Sequence, residues 1–233
     1  MEKEVRCTDN NHKKMKKTFQ QVFDEFNIPM EGRQAAIDAI EFPGDIYLFG
    51  VWSGVSAKLV SDYLAERQIP YDSMFGFDSF IGLPEEQEGV PRHQGHDPGK
   101  YSSTELYRKS LAETIKLIEE GVGNPKLKLI QGFYDKVLDE NLVKRERMQV
   151  ASFVDIDVDL YLSSVEVLTF LFKNKLVGRG TTVYFDDWGA TEEYKGGESL
   201  AWKQMTDSFN VRYEHIYTMG DKRPYVSKVF KML

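Results

Sequence analysis

One cysteine, Cys7, stands in the 233 residues, so no disulfide framework can form within the chain. Long apolar runs are missing too. The stretch around Val165 to Phe172 is too short to span a bilayer. Basic excess is also lacking: 30 Lys and Arg stand against 37 Asp and Glu, for a net charge of -7 and a pI near 5.3. That balance argues against a general nucleic-acid binder, which carries a basic face. The basic cluster Lys13-Lys14 with Lys16-Lys17 is expected to form a solvated helix face. The opening Met1-Glu-Lys-Glu-Val-Arg6 has no apolar signal core. A cytoplasmic protein with neither a membrane nor a nucleic-acid partner is therefore expected. Repeats, low-complexity tracts and linkers are absent, and 1–233 reads as a single domain.

Short apolar runs alternate with amphipathic ones, the pattern of a mostly parallel α/β sheet. Residues 1–43 form a helical N-terminal segment, with helices expected over 13–26 and 30–41. Strands are expected at Asp45–Phe49, Met74–Phe77, Leu127–Ile130, Ser152–Asp157 and Thr181–Phe185. Ser53–Arg67 reads as a helix with Val55, Leu59, Val60, Tyr63 and Leu64 on one face. Two further strands, Val211–Tyr217 and Tyr225–Met232, are joined by Met219-Gly-Asp-Lys-Arg-Pro224, which is turn chemistry. One of them should run antiparallel to the rest. The polar stretch 82–103 contains Pro84, Pro91 and Pro98 and is long enough to suggest a functional lid. Ser102-x-x-Glu105 is a candidate capping box for a helix to about Glu120, and Ser163-x-x-Glu166 for the helix after the fourth strand.

The chemistry concentrates in two acidic strings. Ala151-Ser-Phe-Val-Asp155-Ile-Asp157-Val-Asp159-Leu-Tyr161 and Thr181-Thr-Val-Tyr-Phe185-Asp186-Asp187-Trp188-Gly189 are each an apolar β-type run ending in Asp. Buried strands do not keep ionised carboxylates inside without compensation, so these acids should gather at one open sheet edge. There Asp157, Asp186 and Asp187 could share a hard divalent cation such as Mg²⁺, which prefers oxygen ligands. Asp159, two residues beyond Asp157, would face the same side in extended chain and is a candidate general base. His93 and His96 are rival bases, although loop histidines are more often solvent-exposed. Asp155 is expected to be structural. Trp188 and Tyr161 could line the substrate pocket or belong to the core.

A second set of signals lies at the ends of the earlier strands. Gly50-Val51-Trp52-Ser53-Gly54-Val55-Ser56 follows the first strand, where glycine lets backbone approach a ligand. Alone it reads equally well as a tight strand-to-helix turn. Asp78, followed by Ser79, ends the second strand, where an acid can accept hydrogen bonds from a ribose diol. A turn or capping Asp is the plainer reading of one such residue. Gln131-Gly132-Phe133 ends the third strand and could face an adenine, or mark core aromatics beside a turn.

Taken in order, Gly44-Asp-Ile-Tyr-Leu-Phe-Gly-Val-Trp-Ser-Gly54, Phe77-Asp-Ser-Phe-Ile-Gly-Leu-Pro84, Gln131-Gly-Phe133, Asp157-Val-Asp159-Leu-Tyr-Leu-Ser163 and Phe185-Asp-Asp187 closely resemble the macrocin O-methyltransferase family. A fainter echo falls at Gly196-Gly-Glu198. The resemblance implies a Rossmann-like class I methyltransferase fold: a seven-stranded, mostly parallel sheet with a C-terminal antiparallel strand and helices on both faces. It implies S-adenosylmethionine and Mg²⁺ as cofactors and a small-molecule hydroxyl acceptor, often a sugar. It places the cofactor on Gly50, Val51, Trp52, Ser53, Gly54, Ser56, Asp78, Ser79, Gln131, Gly132, Phe133 and Asp157, and the metal on Asp157, Asp186 and Asp187. Two positions depart from the family pattern. Leu48 stands where a Glu usually helps hold the cofactor's ammonium group, and Val55 where a glycine follows Gly54.

Two other readings remain at this stage. A metal-dependent phosphoryl hydrolase would use the same acids but leaves Asp78 and the glycine turn unexplained. A non-catalytic Rossmann-like binding module is consistent with Leu48 but not with retention of the whole Asp set. A homodimer is among the assemblies open to the chain.

Overall fold

The computed structural model describes residues 16–90, 95–189, 196–220 and 225–233. His93 and much of the expected 219–224 turn lie outside them. Seven strands form one sheet: β1 (Asp45–Phe49), β2 (Met74–Asp78), β3 (Leu127–Gln131), β4 (Ala151–Ile156), β5 (Thr182–Gly189), β6 (Tyr213–Met219) and β7 (Tyr225–Met232). Their spatial order is β3-β2-β1-β4-β5-β7-β6. The first five pair in parallel, and β7 alone runs against its neighbours β5 and β6. This is the expected seven-stranded arrangement with one antiparallel strand.

Alternation along the strands builds a core on each face. Tyr47 and Phe49 of β1 join Phe75, Phe77, Val154 and Ile156 on one side. Here the sheet is covered by α7 (Glu140–Glu146), α8 (Tyr161–Lys173) and α9 (Gly197–Ser208), through Leu142, Leu168 and Trp202. Ile46 and Leu48 face the other way, onto α1 (Phe19–Glu25), α2 (Glu31–Asp38), α3 (Val55–Glu66) and α5 (Leu111–Val122). Leu48 is fully enclosed there, and Val55 opens α3 as a buried residue.

Several local expectations change. Residues 16–18 precede α1, and Thr18 closes a capping box with Gln21, so Lys16 and Lys17 are not on a helix face. Lys13 and Lys14 lie outside the described residues. The helix expected from Ser102 to Glu120 is two helices, α4 (Ser103–Tyr107) and α5. Arg108 adopts a left-handed conformation between them, and Ser110 with Glu113 caps the second. The Ser163-x-x-Glu166 box is not used. Helix α8 starts earlier, and its Tyr161 and Leu162 amides donate to Glu86 of the 82–103 loop at 2.8 and 3.0 Å. A carboxylate brought from another segment thus caps this N-terminus. Helices α6 (Tyr134–Val137), α7 and α9 have no counterpart in the sequence reading. No helix among the described residues is long and apolar enough to cross a membrane.

Candidate active site

The carboxyl ends of β1, β2, β3 and β4, together with β5, open into one cavity of about 660 Å³. Its lining contains Gly50, Val51, Trp52, Ser53, Ser56, Asp78, Ser79, Gly132, Phe133, Asp157, Asp159, Asp186 and Asp187. Gly54 and Gln131 do not line it. Gly54 instead takes a left-handed conformation at the start of α3 and packs against Ile118 and Phe19. Trp188 lies outside the cavity, packed on Phe185 and Phe230. Tyr161 is also outside, its hydroxyl donating to Gln204 at 2.5 Å.

Asp78 organises the glycine turn. Its Oδ2 accepts the Trp52 amide at 2.7 Å and its Oδ1 the Phe80 amide at 2.6 Å. Burial nevertheless pushes its pKa up, against the pull of those amides. Gly50 allows the closest approach in the site. Its φ is +90°, and a Cβ there would lie 1.7 Å from the Asp157 carbonyl oxygen. Gly50→Ala should therefore strain the backbone and push Asp157 out of place. A loss of roughly 2–5 kcal/mol is expected from the left-handed φ and the overlap together. Urea unfolding measures it, and a loss below about 0.5 kcal/mol, the size of an ordinary surface substitution, would refute the close approach.

The acids converge differently from expectation. Strand β4 ends at Ile156, so Asp157 lies just beyond it and its amide donates to Phe49 at 3.0 Å. The chain then turns, with Asp159 at φ +63°, rather than continuing extended. Asp186 and Asp187 lie inside β5, not past its end. Between Phe185 and Trp188 three steps of β5 oppose two of β7, from Lys228 to Val226. Neighbours in a regular strand point to opposite faces, and this bulge supplies the extra residue that re-aims a side chain. One carboxylate oxygen from each of Asp157, Asp186 and Asp187 then lies within 4.8 Å of the others.

Crowding marks these groups. Burial and then the Asp186 charge raise the Asp157 pKa, while burial and then Asp159 raise that of Asp187. Burial chiefly pushes Asp159 up to about 7. A divalent cation resolves such repulsion, and an all-carboxylate donor set suits a hard ion. His96 is buried rather than solvent-exposed. Its Nε2 lies 3.5 Å from Asp159 Oδ1, and burial lowers its pKa. Tyr101 of the same loop stacks edge-on to Trp52 at 5.4 Å.

Two buried charged residues beside the acids, Arg33 and Glu198, have no role in the sequence reading. Arg33 donates to Asp155, Asp157 and Asp186. Its sequence signal is its place on the same helix stripe as the buried Ala36 and Ile37. Glu198 is fully buried, with Ala201 and Trp202 on its stripe of α9. Its two oxygens accept the Val158 and Asp187 amides at 3.2 and 3.0 Å, clasping both acid-bearing segments. Burial raises its pKa. Glu198→Gln should lose one of these bonds, because a side-chain N–H would face a backbone N–H. A stability loss of about 1–3 kcal/mol is expected by thermal melting, and unchanged stability would refute the clasp.

The profile of the macrocin O-methyltransferase family matches residues 28–208. The chain belongs to the macrocin O-methyltransferase family. It is an S-adenosylmethionine-dependent O-methyltransferase. Among solved structures, the calicheamicin methyltransferase CalS11 shares 18% identity at a TM-score of 0.59, over 91% of this chain and 89% of that one. The O-methyltransferase NovP shares 20% at 0.61, over 86% and 77%. TomG from Streptomyces achromogenes, an O-methyltransferase of tomaymycin synthesis solved with SAM, shares 12% at 0.53, over 92% and 86%. At these identities the likeness is one of fold. A search of curated protein sequences finds no match. For this family member, the departures at Leu48 and Val55 fall on core positions outside the cavity lining.

Proposed function

We propose that the protein transfers the methyl group of S-adenosylmethionine to one hydroxyl of a sugar or other natural-product diol, with Mg²⁺ as the metal. The convergence of Asp157, Asp186 and Asp187 beside the glycine turn carries this reading. These three residues would hold the ion, whose charge would lower the pKa of an acceptor hydroxyl. Asp78 would hold the ribose, and Gly50 to Ser53 with Ser56 would follow the methionine end. Ser79, Gly132 and Phe133 would border the adenine.

The chain's own residues then have distinct tasks. Asp159, beside the ligand group, takes the acceptor proton on a carboxylate oxygen. His96 stands against that carboxylate and shields it from bulk water. Residues 82–90 of the loop, latched to α8 through Glu86, line the cavity with Leu83 and Pro84 and would fix the acceptor against the methyl donor. Positioning of this kind supplies much of the rate of an in-line displacement.

The test is methyl transfer from labelled S-adenosylmethionine to a panel of sugar and polyketide diols, each beside its monodeoxy analogue. Transfer to a diol that requires added Mg²⁺ and fails with the monodeoxy partner is expected. Full transfer in excess chelator, or equal transfer to the monodeoxy compound, would overturn the metal-diol reading.

A further inference from the structure

Arg33 does not line the cavity, yet two carboxylates of the site, Asp157 and Asp186, and the buried Asp155 behind them end on its guanidinium. We propose that Arg33 is a positioning residue that orients Asp157 and Asp186 and so sets the site's affinity for a divalent cation. The proposal rests on the metal reading above.

The geometry is specific. Nε and Nη2 meet the two oxygens of Asp155 at 2.7 and 3.3 Å. Nη2 also reaches Asp157 Oδ2 at 2.8 Å, and Nη1 reaches Asp186 Oδ1 at 3.3 Å. The guanidinium lies 4.5 Å over the Tyr184 ring, and the Tyr184 hydroxyl donates to Asp186 as well. With the residue only 1% exposed, the fork has no freedom to rotate. It engages one oxygen of Asp157 and one of Asp186, and leaves the second oxygen of each for a ligand. A planar fork can serve three carboxylates at fixed angles, whereas the compact ammonium of lysine is a point charge.

Orientation, rather than charge, is the larger effect. Asp155 takes two bonds from Arg33 and is itself buried, so the pair presents little net charge to the ligand group. Replacing both members by neutral groups leaves the charge balance nearly intact and removes the fork. It also avoids stranding one buried charge, the change most damaging to folding.

The experiment is titration calorimetry of MnCl2 and, separately, of S-adenosylmethionine into the wild type and the Arg33→Met/Asp155→Asn variant. Partners behind metal ligands typically tune affinity by roughly 10–100-fold. A Mn²⁺ Kd weakened by about that factor is expected, with the S-adenosylmethionine Kd unchanged. A wild-type or tighter Mn²⁺ Kd in the variant overturns the proposal. Arg33→Lys, which keeps a buried cation beside Asp155, is the second variant should the paired replacement not fold. The same weakening is expected there, and wild-type affinity overturns the proposal equally. A wild-type protein that binds no Mn²⁺ overturns the metal reading itself, an outcome distinct from an unaffected variant.

Discussion

Asp187→Asn should bind S-adenosylmethionine as the wild type does and still transfer methyl groups roughly 10²–10³-fold more slowly, the usual scale for losing a preorganised electrostatic stabiliser. The replaced oxygen is one of three that meet within 4.8 Å, and it lies on the acid side of the cavity rather than at the glycine turn. The backbone of the site should survive, because Glu198 holds the amide of residue 187, not its side chain. The decisive comparison is with chelator. Excess chelator should slow the wild type to about the rate of the variant and slow the variant little further. If chelator depresses both by the same factor, Asp187 is not a ligand.

The second large effect is expected at Asp78. Both its oxygens already accept backbone amides, from Trp52 and Phe80. A carboxylate offers about four lone-pair directions, so a ribose diol can be added to these bonds rather than exchanged for them. Asp78→Ala should thus act twice, loosening the turn that carries Gly50 to Gly54 and removing the ribose acceptor. A loss of about 1–3 kcal/mol in S-adenosylmethionine affinity is expected, measured on protein confirmed to be folded. Asp78→Asn keeps one acceptor oxygen and should lie between. Wild-type affinity in a folded Asp78→Ala variant would remove the ribose assignment.

Local signals set what could be read in advance. Strand β1 has the expected bounds because its apolar run lies between Gly44 and Gly50, and β7 because its alternating run starts right after Pro224. Asp78, Asp157, Asp186 and Asp187 were legible because an acid ending an apolar run has few places to go. What escaped depends on distant partners. Arg33 finds Asp155 across 122 positions, and Glu198 finds Val158 across 40. Glu86 caps α8 from 75 positions away, a cap that no local box could announce. The β5 bulge was equally hidden, since the strand was expected to stop at Phe185 and the extra residue exists only relative to β7. His96 looked like a surface residue because its packing at the cavity beside Asp159 is a tertiary fact.

That bulge has a consequence for the order in which the molecule matures. The two acids of β5 are aimed by pairing with β7, the last strand in sequence order, which inserts between β5 and β6. During synthesis the glycine turn, Asp78 and Asp157 all leave the ribosome well before Tyr225–Met232. A nascent chain can therefore assemble the glycine-turn side of its cavity early, while Asp186 and Asp187 take their places only once β7 pairs with β5. The cluster of Asp157, Asp186 and Asp187 is thus expected to close last, when the gap beside β5 is filled.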